Sequence, residues 1–248
     1  MKYLLTGIDT HPDFGFGITA EAYRESAECL LLNKDKILSF QQREMPINFL
    51  YRHSIELYLK SLIIIMHRAL NLPYGDEPSE SDKPMILVNG QWQILFSCHM
   101  IDELYSYWVD QLLNKKASEL KEKAMKGDWR EYKVVSDLIP LIVKYDRDSS
   151  FFRYPVTKKT KQLDKEKHTM KPMSKVALKG MPYTVSVPKE RSRKGGVYLV
   201  FKDEDNQIVN GFQMDNNVLP EVTAALKKAS EYLNGIHVQA RCILCDGY

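Results

Sequence analysis

The stretch Pro46 to Leu70, PINFLYRHSIELYLKSLIIIMHRAL, decides the fold. From Asn48 onward it holds neither glycine nor proline. Ile55, Leu59, Leu62, Met66 and Leu70 recur at spacings of four, three, four and four, which place them on one face of a helix. Leu62 to Met66 adds five consecutive apolar residues, so the helix needs cover on more than one side. The spacing predicts the central helix of an all-helical core. A polar stripe interrupts it: Arg52, Glu56 and Lys60, each four residues from the last, with His53 beside them.

Working outward, Thr19 is a candidate cap for a helix from Ala20 to about Leu38, with Tyr23 and Ala27 on its buried face. After the central helix, Asn71 to Pro84 reads as a loop. MILVNGQWQILF reads as a hairpin turning at Asn89-Gly90, a pair suited to positive φ. Ser97 is a candidate cap for a third helix carrying Ile101, Leu104, Trp108 and Leu112, with a charged extension to Gly127. Asp128 to Tyr145 reads as helix in two pieces, with Leu138 and Ile142 facing the core and Pro140 in a first turn. Residues 156–181 read as a lysine-rich mobile loop, and YTVSV, VYLVF and QIVNGFQM as three strands. A last helix starts at Val218, capped by Asn216 or Asn217, buries Val222, Leu226, Ala229 and Leu233, and stops at Gly235. The expectation is one mainly α domain over residues 1–248. Its helical core covers about 20–155 and 217–234. A β-hairpin insertion falls at about 84–96 and a three-stranded one at about 156–215.

Composition narrows the class. With 44% hydrophobic and 27% charged residues, the chain is of ordinary globular type. No apolar run reaches the roughly 20 residues that span a bilayer. The opening MKYLLTGIDTHPDFGFG has no signal-peptide pattern, and the four cysteines suit a reducing compartment. A cytoplasmic location without membrane partners is therefore expected. The net charge of +3 is uneven: residues 153–194 hold thirteen Lys/Arg and three Asp/Glu, leaving the rest acidic. Arg153, Lys158, Lys159, Lys161, Lys165, Lys167, Arg191, Arg193 and Lys194 are the candidate nucleic-acid contacts, with Tyr183, Tyr198 and Phe201 as stacking surfaces. The plainer reading of the same run is a solvated loop.

Three polar groupings are candidates for chemistry. Arg52, Glu56 and Lys60 read either as a solvated salt-bridge ladder or as the wall of a polar cleft. His99 stands near the start of the third helix, where it is a structural group or an acid–base group. Asp146, Asp148, Ser149, Ser150 and Arg153 either end a helix through local backbone bonds or build an anion site on Arg153. Cys242-x-x-Cys245 is half of a zinc pattern, and Cys29 and Cys98 supply no second pair, so no metal or other cofactor is expected. Common hydrolase and kinase motifs are absent from the sequence.

Taken in order, these groupings resemble the HEPN superfamily. The resemblance is carried by Glu56-Leu57-Tyr58-Leu59-Lys60, by His99 followed five residues later by Leu104, and by Asp146, Ser149, Ser150, Arg153, Tyr154 and Pro155. It implies a helical bundle, often a symmetric homodimer, in proteins of RNA cleavage, prokaryotic conflict and phage defence. Active HEPN ribonucleases carry Arg followed four to six residues later by His. Here Thr157, Lys158 and Lys159 stand at those places after Arg153, and none of the six histidines follows any arginine at that spacing. The expected function is therefore a non-catalytic component that binds nucleic acid or a partner protein. The alternative is a divergent metal-independent ribonuclease using Arg153, with His99 or Glu56 assisting.

Overall fold

The computed structural model describes residues 5–37, 42–157, 161–174, 177–178, 198–215 and 217–247. The chain is mainly α with two small antiparallel sheets. Helix α1 is Phe16–Leu32 and α2 is Glu44–Ala69. A hairpin of β1 (Met85–Val88) and β2 (Gln91–Ile94) follows, turning through Asn89 (φ 51°) and Gly90 (φ 79°). Next come α3 (Ile101–Ser106), which runs on as a π-helical segment over Tyr107–Asn114, and α4 (Ala117–Lys123). Two short helices, α5 (Lys133–Ser136) and α6 (Ile139–Asp146), lead to α7 (Lys161–Glu166). Strands β3 (Met170–Pro172), β4 (Tyr198–Lys202) and β5 (Ile208–Met214) form the second sheet in the order β3-β5-β4. Helix α8, Pro220–Leu244, closes the chain.

Helix α2 is the axis. Every residue from Ser54 to His67 is buried, because α1 and α8 pack along it and α3 with its π-helical continuation covers it further. Ile55, Leu59, Leu62, Met66, Ile101, Leu104, Trp108, Ile142, Leu226 and Leu233 share one core, with Leu138 packed against it. Among the described residues no helix is long and apolar enough to cross a membrane.

Several boundaries differ from the sequence reading. Helix α1 starts at Phe16 because Asp13, not Thr19, caps it: its carboxylate accepts from Gly15 N at 3.2 Å and Gly17 N at 2.9 Å. Pro46 lies inside the first turn of α2, where its missing N–H costs nothing. Ser97 Oγ bonds the Ile94 carbonyl, and the third helix begins at Ile101 instead. The last helix runs through Gly235 to Leu244, since Ile236, Ala240 and Arg241 all bury along it. Residues 161–172, read as loop, fold into α7 and β3, and β3 is the third strand of the sheet. YTVSV lies outside the described residues.

Candidate functional site

Arg52, Glu56 and Lys60 are 0%, 1% and 2% exposed, so the solvated-ladder reading is overturned. Around Glu56 and Lys60, α2 leaves no face for water. Arg52 pairs with Glu56 and donates to the carbonyl oxygens of His99 and Arg147, the latter at 3.2 Å. Lys60 Nζ donates to Glu56 Oε1 at 2.9 Å and to the Phe96 carbonyl at 3.0 Å. Burial alone would push the Glu56 carboxyl up; Arg52 and Lys60 beside it, with hydrogen bonds from Lys60 and His99, outweigh that and hold it down at about 2.

His99 completes the network. Its Nδ1 is 2.9 Å from Glu56 Oε1. An ionised carboxylate only accepts, so Nδ1 carries a hydrogen and Nε2 is the nitrogen left for another partner. The side chain is half exposed, 50%, although its carboxylate partner is buried. The stripe thus grips the segment before α3 at the Phe96 carbonyl, the His99 carbonyl and the His99 ring. What remains accessible is an imidazole oriented from behind by an ionised carboxylate, an arrangement suited to proton transfer.

The turn after α6 brings in Arg153. Asp146 accepts from Phe151 N at 2.9 Å and Phe152 N at 3.5 Å, with Arg52 Nε 3.9 Å away. Burial pushes the Asp146 carboxyl up despite Arg52. Ser149 takes a left-handed conformation, φ 65°, and its Oγ accepts from Arg153 at 3.1 Å. The local-backbone reading of this cluster therefore holds, and the turn it makes also aims Arg153. That guanidinium lies 5.6 Å from the Phe49 ring centroid and is exposed.

Two neighbours had no role in the sequence reading, Asn48 named only where the breaker-free run begins and His53 only as standing beside the stripe. Asn48 stands four residues before Arg52, extending the stripe by one turn; it is 1% exposed and its amide has no partner among the described residues. His53 stacks on Phe49 with centroids 5.7 Å apart and planes 7° apart, and meets Tyr23 edge-on at 4.6 Å. The spacing of four was the available signal for Asn48. His53 had none beyond adjacency to Arg52.

The basic contacts divide. Lys161 and Lys165 are exposed on α7. Lys167 is 1% exposed and is not a surface contact: its Nζ bonds the carbonyls of Phe151 (3.0 Å) and Tyr154 (2.8 Å) and pairs with Asp164 at 2.9 Å. It clamps the backbone around Arg153 instead. Lys158, Lys159, Arg191, Arg193, Lys194 and Tyr183 lie outside the described residues. Tyr198 and Phe201 are exposed on β4.

A second buried polar cluster joins α1, α2 and α8. Asp13 accepts from Ser61 Oγ at 2.6 Å and Arg241 at 3.3 Å, and lies 3.6 Å from His237 Nε2. Ser61 donates to the acid, so these residues form no nucleophile triad. Cys242 is exposed and Cys245 half-buried, with burial pushing the Cys245 thiol up to about 11. No three His, Cys, Asp or Glu among the described residues are placed to hold a metal ion. Comparison with protein-family models, curated proteins and solved structures returned no match.

Proposed function

We propose that the chain is a HEPN-like protein whose His99–Glu56 pair performs proton transfer in metal-independent RNA cleavage, with Arg153 as the phosphate contact. One observation carries the acid–base part: a half-exposed imidazole bonded through Nδ1 to a buried, ionised carboxylate. The RNA substrate rests on the HEPN resemblance of the three motifs alone. In this reading His99 stands in for the histidine that this chain lacks four to six residues after Arg153. The test is incubation of total RNA with the protein in chelator, beside His99→Gln and Arg153→Ala. Cleavage should fall about 10²- to 10⁴-fold in His99→Gln. An inactive wild type, or undiminished cleavage by His99→Gln, refutes it.

A second reading, a non-catalytic component that binds nucleic acid or a partner protein in prokaryotic conflict or phage defence, is favoured by a different observation. Arg153, Lys161 and Lys165 are exposed cations on the turn after α6 and on α7. They offer phosphate contacts that need no proton transfer. Homodimer formation belongs to either reading through the resemblance, and light scattering across micromolar concentrations tests it.

A further inference from the structure

We propose that His53 is a second acid–base group of this site, the base for the attacking 2′-hydroxyl, while His99 is the acid for the leaving oxygen. The assignment rests on the RNA-cleavage reading. Cleavage by an internal hydroxyl involves two proton movements, one at the attacking oxygen and one at the departing oxygen. His99 has one accessible nitrogen, so a second group is needed on the other side of the phosphorus.

His53 is the second imidazole beside Glu56 and Arg153. It lies three residues before Glu56 on α2, a spacing that puts the two β-carbons about 5–6 Å apart on one helix face. The Glu56 carboxylate therefore has one imidazole bonded to it and another one turn away. The His53 ring is held in place by the stacked Phe49 and by the edge of Tyr23 from α1. Its Nδ1 is buried without a partner among the described residues, and the residue as a whole is only partly buried, so Nε2 is the nitrogen open to a substrate. Arg153, the proposed phosphate contact, lies against the same Phe49 ring.

The charged surroundings fit a neutral imidazole. Burial pushes its pKa down; Glu56 opposes this, while Arg52 and Lys60 from the same helix and Arg153 from the turn after α6 act with it. A neutral His53 accepts a proton at pH 7. In the step, Nε2 of His53 takes the 2′-hydroxyl proton as that oxygen bonds to phosphorus. The bond from phosphorus to the 5′-oxygen breaks, and Nε2 of a protonated His99 donates to the departing oxygen. The products are a 2′,3′-cyclic phosphate and a 5′-hydroxyl, and the two histidines exchange protons with water to reset. The other role open to His53 is that of an aromatic spacer between Phe49 and Tyr23.

The experiment compares the wild type with His53→Gln, His53→Phe and His99→Gln on two oligonucleotides carrying one cleavable ribonucleotide. One has the natural 5′-oxygen and the other a bridging 5′-sulfur, which departs without a proton. Phenylalanine preserves the stacking, so a spacer role predicts wild-type cleavage by His53→Phe. The proposal predicts that both His53 variants lose about 10²- to 10⁴-fold in kcat/KM on both substrates. They should also lose the low-pH limb of the pH profile. His99→Gln should lose activity on the natural substrate and recover it on the 5′-sulfur one. Wild-type activity in His53→Phe, or rescue of the His53 variants by sulfur, overturns the assignment and leaves RNA cleavage standing. A wild type inactive on both substrates overturns both.

Discussion

Replacing Glu56 with glutamine should cost about 3–5 kcal/mol at pH 7, because it leaves Arg52 and Lys60 as buried charges without their shared counter-ion. The depressed Glu56 carboxyl points the same way. The fall of the Glu56 pKa from 4.5 to about 2 corresponds to about 3 kcal/mol of preference for the ionised form in the folded chain. Partial compensation comes from the carbonyls of His99, Arg147 and Phe96, which still accept from the two cations. Urea unfolding followed by tryptophan fluorescence is a suitable assay, since Trp108 is fully buried. In thermal scans, a loss of about 3 kcal/mol should lower Tm by about 6–12 °C for a chain of this length. The pH dependence provides a second check. A depressed carboxyl stabilises the fold fully above its unfolded pKa of 4.5, and that contribution fades as pH falls toward the folded value of about 2. The gap between wild type and Glu56→Gln should therefore be constant above pH 5 and shrink between pH 4.5 and 2. A loss under about 1 kcal/mol at pH 7 would put the pair in the range of exposed ion pairs and refute the buried-network account. An undiminished gap at pH 2 would refute the linkage.

Leu62→Ala should cost about 2–5 kcal/mol in the same urea assay, because Leu62 is completely buried on α2. Lys167→Ala should cost about 3 kcal/mol by stranding Asp164 and the Phe151 and Tyr154 carbonyls, while the exposed Lys161→Ala should stay within about 0.5 kcal/mol; equal effects would contradict the inward placement of Lys167. Binding to unstructured RNA, measured by fluorescence anisotropy, should weaken with log salt at a slope of about −0.7 per phosphate contact, or roughly −4 for six. Glutamine at Lys158, Lys159, Lys161 and Lys165 should flatten it, and a salt-independent wild type would remove nucleic acid as a partner.

The helical core was legible because α2 has an apolar stripe of regular period and no interior breaker. Its polar stripe was not, since a spacing of four describes a solvated ladder and a buried network equally well. What separates them is the rest of the helix. Ile55, Leu57, Tyr58, Leu59, Leu62, Ile63, Ile64 and Ile65 point in all directions around the axis, so the charges have protein on every side. The stop at Gly235 failed for a related reason. A helix-interior glycine costs about 1 kcal/mol, which burial of Ile236 beside it and of Ala240 in the next turn outweighs. The burial of Lys167 was not legible, because its one local partner, Asp164, fits an exposed pair equally well and the carbonyls it caps, of Phe151 and Tyr154, stand 16 and 13 residues earlier. The start of α1 was missed because its capping acid precedes the first helical residue by three positions, with two of its bonds going to glycine N–H groups.

Three ionic side chains on an enclosed helix are expensive, and leucines of similar volume are often tolerated or stabilising at such positions. The structure indicates what the charges do that leucine cannot. The segment from Phe96 to Met100 joins a short 3₁₀ turn to α3, and two of its carbonyls accept from the stripe cations. Arg52 spans that segment and the Arg147 carbonyl at the end of α6, so one guanidinium ties together the backbones preceding α3 and following α6. Those are the two places that carry His99 and lead to Arg153. A purely structural clamp would be complete with the carbonyl bonds, and Glu56 would need only its two cations. The third bond from Glu56, to the ring of a half-exposed histidine, adds no cover to the core and leaves Nε2 facing outward. That bond ties the buried charge to the surface chemistry.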